Sequence, residues 1–157
     1  PHIFGNVNAD TADKVMENWE QIKKKEKGFE TYTQSMRDIP SGLSALIKSA
    51  KIQKKAKAVG FDFGDVKTAF EKVKEETEEL EKAINQDENI KEEAGDLLFS
   101  VVNVLRLAKE DPEIALIATN EKFIKRFEYV EKNTKGDLKD SSIEEMDRLW
   151  EEAKMGK

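Results

Sequence analysis

The sequence predicts an all-α protein, a bundle of the four-helix type, and three observations carry that prediction. Charged residues make up 38% of 157, with Ala, Leu, Glu and Lys prominent, a composition that favours helices. Only three prolines and eight glycines interrupt it. Apolar residues recur at a spacing of three and four, which is the period of a helix with one buried face.

The first helix is expected from Asn8 to Lys27, where Val15, Trp19 and Ile22 share a face and Gly28 follows a lysine-rich last turn. A polar connection then leads through Ile39-Pro40. Ser41 is expected to cap a second helix with Leu43, Leu46, Ile47, Ala50 and Gln53 on one side and Val59-Gly60 as its stop. Phe61-Asp62-Phe63-Gly64 reads as a short aromatic connector. From Asp65 the apolar positions Val66, Ala69/Phe70, Val73, Thr77, Leu80 and Ile84 draw a seam over nearly three heptads. The polar run Asn85 to Asn89 ends that helix, and Ile90 opens another that continues to about Lys109. Between Leu97 and Leu105 this helix is apolar on nearly every side, which suits the centre of a bundle or a subunit interface. Asp111-Pro112 starts a further helix to about Lys132. Gly136 closes the connection after it, and Ser142 with Glu145 makes a capping box for a last helix bearing Met146, Leu149 and Trp150.

One domain is the expectation at this length. Residues 1–30 form an N-terminal linker and helix region, and residues 31–157 form the domain that carries the site. The start, Pro1-His2-Ile3-Phe4-Gly5, has neither methionine nor helix signal and reads as the edge of a piece cut from a longer chain.

Charge and composition exclude several functions. With 33 acidic against 27 basic residues, a net −6, no global field draws in a polyanion, so nucleic acid is not an expected partner. The chain has no cysteine, which removes disulfides, thiolate metal sites and cysteine nucleophiles and fits a reducing cytoplasm. Leu97 to Leu105 is nine residues, about half the ~20 needed to cross a bilayer, so no membrane anchoring is expected. His2 is the only histidine, which leaves serine catalysis without its base and a di-iron carboxylate site without its Glu-x-x-His pairs.

What remains is carboxylate chemistry. Residues three apart on a helix are neighbours, so Glu76-x-x-Glu79 sets two carboxylates on one edge, and Glu93-x-x-Asp96 does the same on the next helix. The midpoint of the two pairs is residue 86, inside the polar turn, so in an antiparallel hairpin all four groups meet at one height. At about 100° per residue, Glu76 lies about 75° from the centre of the apolar seam, with Lys72 and Glu79 further round the same flank. Glu93, Asp96, Ser100 and Asn103 share a flank of the second helix. Four crowded carboxylates repel unless protonated or bridged by a cation, and an all-oxygen cage suits Mg²⁺ or Mn²⁺. The competing reading is a solvated acidic face, the ordinary fate of a run such as Glu75-Glu76-Thr77-Glu78-Glu79. The symmetric placement, Gly95 beside Asp96 and the uncharged run that follows weigh against it.

With these residues aligned, the chain resembles the MazG family, whose hallmark is an ExxE pair followed by an ExxD pair: here Glu76-Thr77-Glu78-Glu79 and Glu93-Ala94-Gly95-Asp96. The segments AKIQKKAKAVGFDF, KVKEETEELEKAI, KEEAGDLLFSVVNVLRL, NEKFIKRFEYVE and EEMDRLWEEAK extend the similarity over nearly the whole chain, to the C-terminal half of two-domain bacterial members. The resemblance implies Mg²⁺-dependent hydrolysis of nucleoside triphosphates to monophosphate and pyrophosphate, with Mn²⁺ as a substitute ion, by a helical bundle that forms a homodimer. It implies Glu76, Glu79, Glu93 and Asp96 as metal ligands and Glu75 and Glu92 as acidic neighbours supporting the site, either able to take the water proton. Lys72, Lys122 and Arg126 match positions that face phosphates, and Trp150 matches an aromatic near the base. Asn103, on the Asp96 flank, joins them as a candidate substrate contact. Without the resemblance, Lys122 and Arg126 read as a solvated pair, Trp150 as core, and Lys51, Lys54, Lys55 and Lys57 as surface. Two alternatives stand beside this reading: a catalytically idle dimerisation or regulatory half, and a narrow-specificity enzyme for dUTP, dCTP or a modified nucleotide.

Overall fold

In the computed structural model the described residues are 31–156 and, before them, positions 14–15, 18–19, 21–22, 25–26 and 28. Among them all regular structure is helical: α1 (Tyr32–Arg37), α2 (Ala45–Lys57), α3 (Val66–Gln86), α4 (Ile90–Leu107), α5 (Pro112–Asn133), a 3-10 turn at Leu138–Asp140 and α6 (Ile143–Lys154). The helix expected over Asn8 to Lys27 lies largely outside the described residues, as do Pro1 to Gly5. None of the described helices is long and apolar enough to cross a membrane.

The connection expected between Gly28 and Pro40 contains α1. Its six residues are too few to show an apolar period, but Thr31 and Gln34 form a reciprocal capping box, with Gln34 N donating to Thr31 Oγ1 at 3.1 Å and Thr31 N to Gln34 Oε1 at 3.0 Å. Ser35 is buried and accepts from Lys55 Nζ at 2.7 Å, which ties α1 to α2. The cap of α2 is Ser44, not Ser41. Leu43 N bonds back to the Pro40 carbonyl, which spends residues 41–43 on a turn, and Ser44 Oγ then accepts from Ile47 N. Gly60, at φ +82°, ends that helix in a left-handed conformation open to glycine at little cost.

Asp65 caps α3 by accepting from Thr68 N at 2.7 Å, a bond that holds its carboxyl below the usual range. Asp87 and Asn89 turn the chain with φ of 56° each, a conformation that Asp and Asn tolerate better than other side chains. This makes α3 and α4 a tight antiparallel hairpin, the most extensive helix pairing in the chain; α2 packs on α4, and α1 on α2.

The register of α3 departs from the hydropathy seam. Phe70, Thr77 and Ile84 are exposed, and the buried line runs Ala69, Val73, Glu76, Leu80, Ala83, with Ala69, Glu76 and Ala83 covered. Those three positions are seven apart, so they stack within about 20° per heptad. A glutamate therefore occupies the middle of the stripe that pairs with α4. On α4, burial takes Ser100, Val102, Asn103 and Val104, whereas Leu98, Phe99 and Val101 remain exposed. The helix expected at the centre of a bundle or in a subunit interface thus leaves Leu98, Phe99 and Val101 as exposed apolar residues.

The chain divides into two compact units, Pro1–Pro112 and Glu113–Lys157. In the second, Ser142 caps α6 by accepting from Glu145 N at 3.2 Å, and Val130 and Leu149 are its buried apolar residues.

Candidate metal centre

The hairpin gathers the acidic groups. One carboxylate oxygen each from Glu76, Glu93 and Asp96 lie within 4.8 Å of one another, and so do oxygens from Glu75, Glu76 and Glu79. Glu76 belongs to both sets. It is 4% exposed, and its Oε2 has no hydrogen-bond partner among the described residues. An ionised oxygen sealed from water without a donor costs several kcal/mol, roughly, unless a cation or proton meets it. The donor set is all-carboxylate, which suits a hard divalent cation.

The other Glu76 oxygen is paired with Lys72, whose ammonium also reaches Glu75 Oε1 at 2.8 Å. These bonds, the one to Glu75 first and the one to Glu76 next, raise the lysine pKa well above its ordinary value. Lys72 is thus a built-in counter-ion for half of the cluster. Glu79 shows what is left uncompensated: burial, then the charge of Glu76 and a hydrogen bond to it, then Glu93, push its carboxyl above the usual range, and Lys72 opposes them only weakly. Glu92 and Glu93 sit in the first turn of α4, where the helix dipole attracts negative charge. Gly95 faces open space where a side chain would begin, so it supports no close approach within this chain.

Asn103 lies seven residues beyond Asp96, about 10 Å along the axis and on nearly the same face. It is buried, and its Oδ1 accepts from Arg106 Nε at 3.0 Å and Nη2 at 2.6 Å. Lys122, Arg126 and Trp150 belong to the second unit. There the Arg126 guanidinium lies 5.9 Å from the Trp150 ring centre, and Trp150 packs at 5.0 Å on Phe123, which stacks on Phe127 at 6.2 Å. Lys122 is exposed one turn before Arg126.

Sequence reasoning passed over three polar residues. Gln53, read as part of an apolar stripe, is buried and donates from Nε2 to the Phe99 carbonyl at 2.9 Å, leaving its Oε1 unpartnered. Asp62 and Arg106 form an ion pair between the aromatic connector and the end of α4, with side-chain exposures of 14% and 6%. The available signal was a lone charge in each of two apolar settings: Asp62 between two phenylalanines, and Arg106 within Val104 to Leu107.

Comparison with known proteins meets this geometry. Residues 64–134, which span α3, α4 and α5, match the MazG nucleotide pyrophosphohydrolase domain. It is 35% identical over 161 residues to a nucleoside triphosphate pyrophosphohydrolase of Escherichia coli K12, covering 98% of this chain and 61% of that protein. With the nucleoside triphosphate pyrophosphohydrolase/pyrophosphatase MazG of Thermotoga maritima it shares 39% identity, over 99% of this chain and 60% of the relative. The uncharacterized protein YabN of Bacillus subtilis is 47% identical over 98% of this chain and 32% of its own length. The chain thus spans about three fifths of the two pyrophosphohydrolases it matches.

Proposed function

We propose that residues 31–157 form a catalytic module that hydrolyses nucleoside triphosphates to the monophosphate and pyrophosphate, with Mg²⁺, or Mn²⁺ in its place, held by Glu76, Glu79, Glu93 and Asp96. The observation that carries this reading is the buried, unpartnered Glu76 Oε2 at the point shared by both acidic sets, in a MazG-type domain. A divalent cation there supplies charge compensation at the triphosphate and lowers the pKa of water. Glu75 or Glu92 accepts the proton of the attacking water, and the reaction is displacement at phosphorus with pyrophosphate as leaving group. Lys72, which pairs with Glu75 and with the other Glu76 oxygen, would neutralise phosphate charge. In the second unit Lys122 and Arg126 are assigned to phosphates and Trp150 to the base; Asn103 is assigned to the nucleoside.

We also propose a homodimer in a cytoplasmic setting. The exposed side of α4, with Leu98 at 62%, Phe99 at 42% and Val101 at 37% exposure, is an apolar surface of the kind a second copy covers. Sedimentation at micromolar concentration should give a dimer or larger; a monomer removes this part. The activity is tested by pyrophosphate release from a panel of nucleoside triphosphates with and without Mg²⁺. Release that needs the ion supports the reading, and no release from any nucleotide ends it.

A further inference from the structure

The polar strip of α4 does not stop at the acidic cluster. Past Asp96 it continues through Ser100 and Asn103, both buried, and ends at Arg106. The last part is a closed chain of hydrogen bonds. Phe63 N donates to Asp62 Oδ1 at 2.9 Å; Arg106 donates from Nη1 to Asp62 Oδ2 at 3.1 Å and from Nη2 to Oδ1; and Arg106 Nε and Nη2 both donate to Asn103 Oδ1.

This fixes the orientation of an amide. The two ends of an Asn side chain are almost the same shape, so an unconstrained amide turns over freely. At Asn103 the turned-over form would set its NH₂ against two guanidinium N–H groups, donors against donors. Arg106 therefore locks Oδ1 inward, and Asp62 locks Arg106 through a two-pronged contact. The donor end, Asn103 Nδ2, makes no hydrogen bond among the described residues and is not an atom sealed from solvent. An Asn held this way offers a donor and nothing else.

Position then says what it meets. About 10 Å beyond Asp96 on the same face, Asn103 is too far along α4 to touch phosphate oxygens gathered at the carboxylates, and it lies where the strip leads away from them. We infer that Asp62 and Arg106 are positioning residues that hold the Asn103 amide as a donor to an acceptor atom of the nucleoside, in the sugar or the base. The inference rests on the proposed triphosphate hydrolysis and adds to it a source of nucleoside recognition remote from the metal ligands.

The test is a double-mutant cycle on KM. Asn103→Asp keeps the contact to Arg106 and removes the donor; Asp62→Asn keeps the shape of the connector and loosens Arg106. Each should raise KM by roughly tenfold, the loss of about one hydrogen bond, and the double variant should be no worse than Asn103→Asp alone. For Asp62→Asn, kcat and the Mg²⁺ concentration for half-maximal rate should stay within about twofold of the parent, since the metal ligands are untouched. KM losses that multiply in the double variant overturn the inference, as does an Asp62→Asn protein whose kcat and Mg²⁺ dependence fall together, the mark of a brace for the whole hairpin. If Asp62→Asn does not fold at the assay temperature, Asp62→Glu, which keeps the charge and displaces the carboxylate, is read by the same criteria. A parent protein that hydrolyses no nucleoside triphosphate overturns both readings; an active parent with multiplying losses overturns this one alone.

Discussion

Two polar clusters of opposite character lie along α4, each with a buried member, Asn103 in one and Glu76 in the other. At the Asn103 end of α4, Asp62, Arg106 and Asn103 satisfy one another, charge against charge and donor against acceptor. At the Glu93 end, carboxylates from two helices converge with Lys72 as the cation beside them, and Glu76 Oε2 has no donor among the described residues. Among the described residues, the first cluster is complete but for the Asn103 Nδ2 donor. The second keeps a buried oxygen without a donor among the described residues, and an all-carboxylate set of this kind could hold a hard divalent cation. Deleting a member should therefore do opposite things at the two ends.

The largest effect is expected at the open cluster. Asp96→Asn should cut pyrophosphate release by at least about a hundredfold, while the Mg²⁺-free protein melts at the same temperature or higher because repulsion is relieved. Thermal unfolding beside the pyrophosphate assay checks both halves, and an active Asp96→Asn protein removes the metal site. At the closed cluster, Arg106→Met removes the guanidinium from Asp62 and leaves the buried Asn103 Oδ1 without its donors, which should cost about 1 to 3 kcal/mol of stability, with or without Mg²⁺. Denaturant unfolding that shows no loss would mean that the two clusters do not differ as described.

A smaller effect separates the clusters by pH. The Glu79 carboxyl is raised above its ordinary 4.5 by burial and by Glu76 and Glu93, so the folded protein holds that proton more tightly than the unfolded chain. The Mg²⁺-free protein should lose stability as pH rises from about 4.5 through the raised value, and saturating Mg²⁺ should flatten that slope. Melting curves across pH 4 to 8, with and without the ion, decide it; a slope unaffected by Mg²⁺ would detach Glu79 from the cluster. The smallest is Thr31→Ala, distant from both, which should cost about 1 kcal/mol through the lost cap of α1 and leave KM and kcat unchanged.

Residue types and spacings were enough to bring the acidic pairs into view. Glu76-x-x-Glu79 and Glu93-x-x-Asp96 are local patterns, and a polar turn between two helical stretches sets them opposite each other with no further information. The same is true of the cap at Ser142, where a single side chain serves a backbone N–H three residues on. The short helix α1 was legible too, in Thr31-x-x-Gln34, but only to a reading that looks for caps and not for apolar period. Which line of α3 is buried was legible only in part. Hydropathy drew the seam through Val66, Ala69/Phe70, Val73, Thr77, Leu80 and Ile84, of which Ala69, Val73 and Leu80 lie on the covered side and Phe70, Thr77 and Ile84 do not. Burial followed the line through Ala69, Glu76 and Ala83, because α4 packs where small residues let two backbones approach and where the two acidic edges can share one space. Asp62 and Arg106 are 44 residues apart, and no local rule pairs them; only the docking of the connector on the end of α4 made them partners. The sequence determined by itself which groups this protein has for chemistry and the turn about which they are arranged. The tertiary structure decided which of them lost water, since burial depends on what packs against a residue and not on the residue alone.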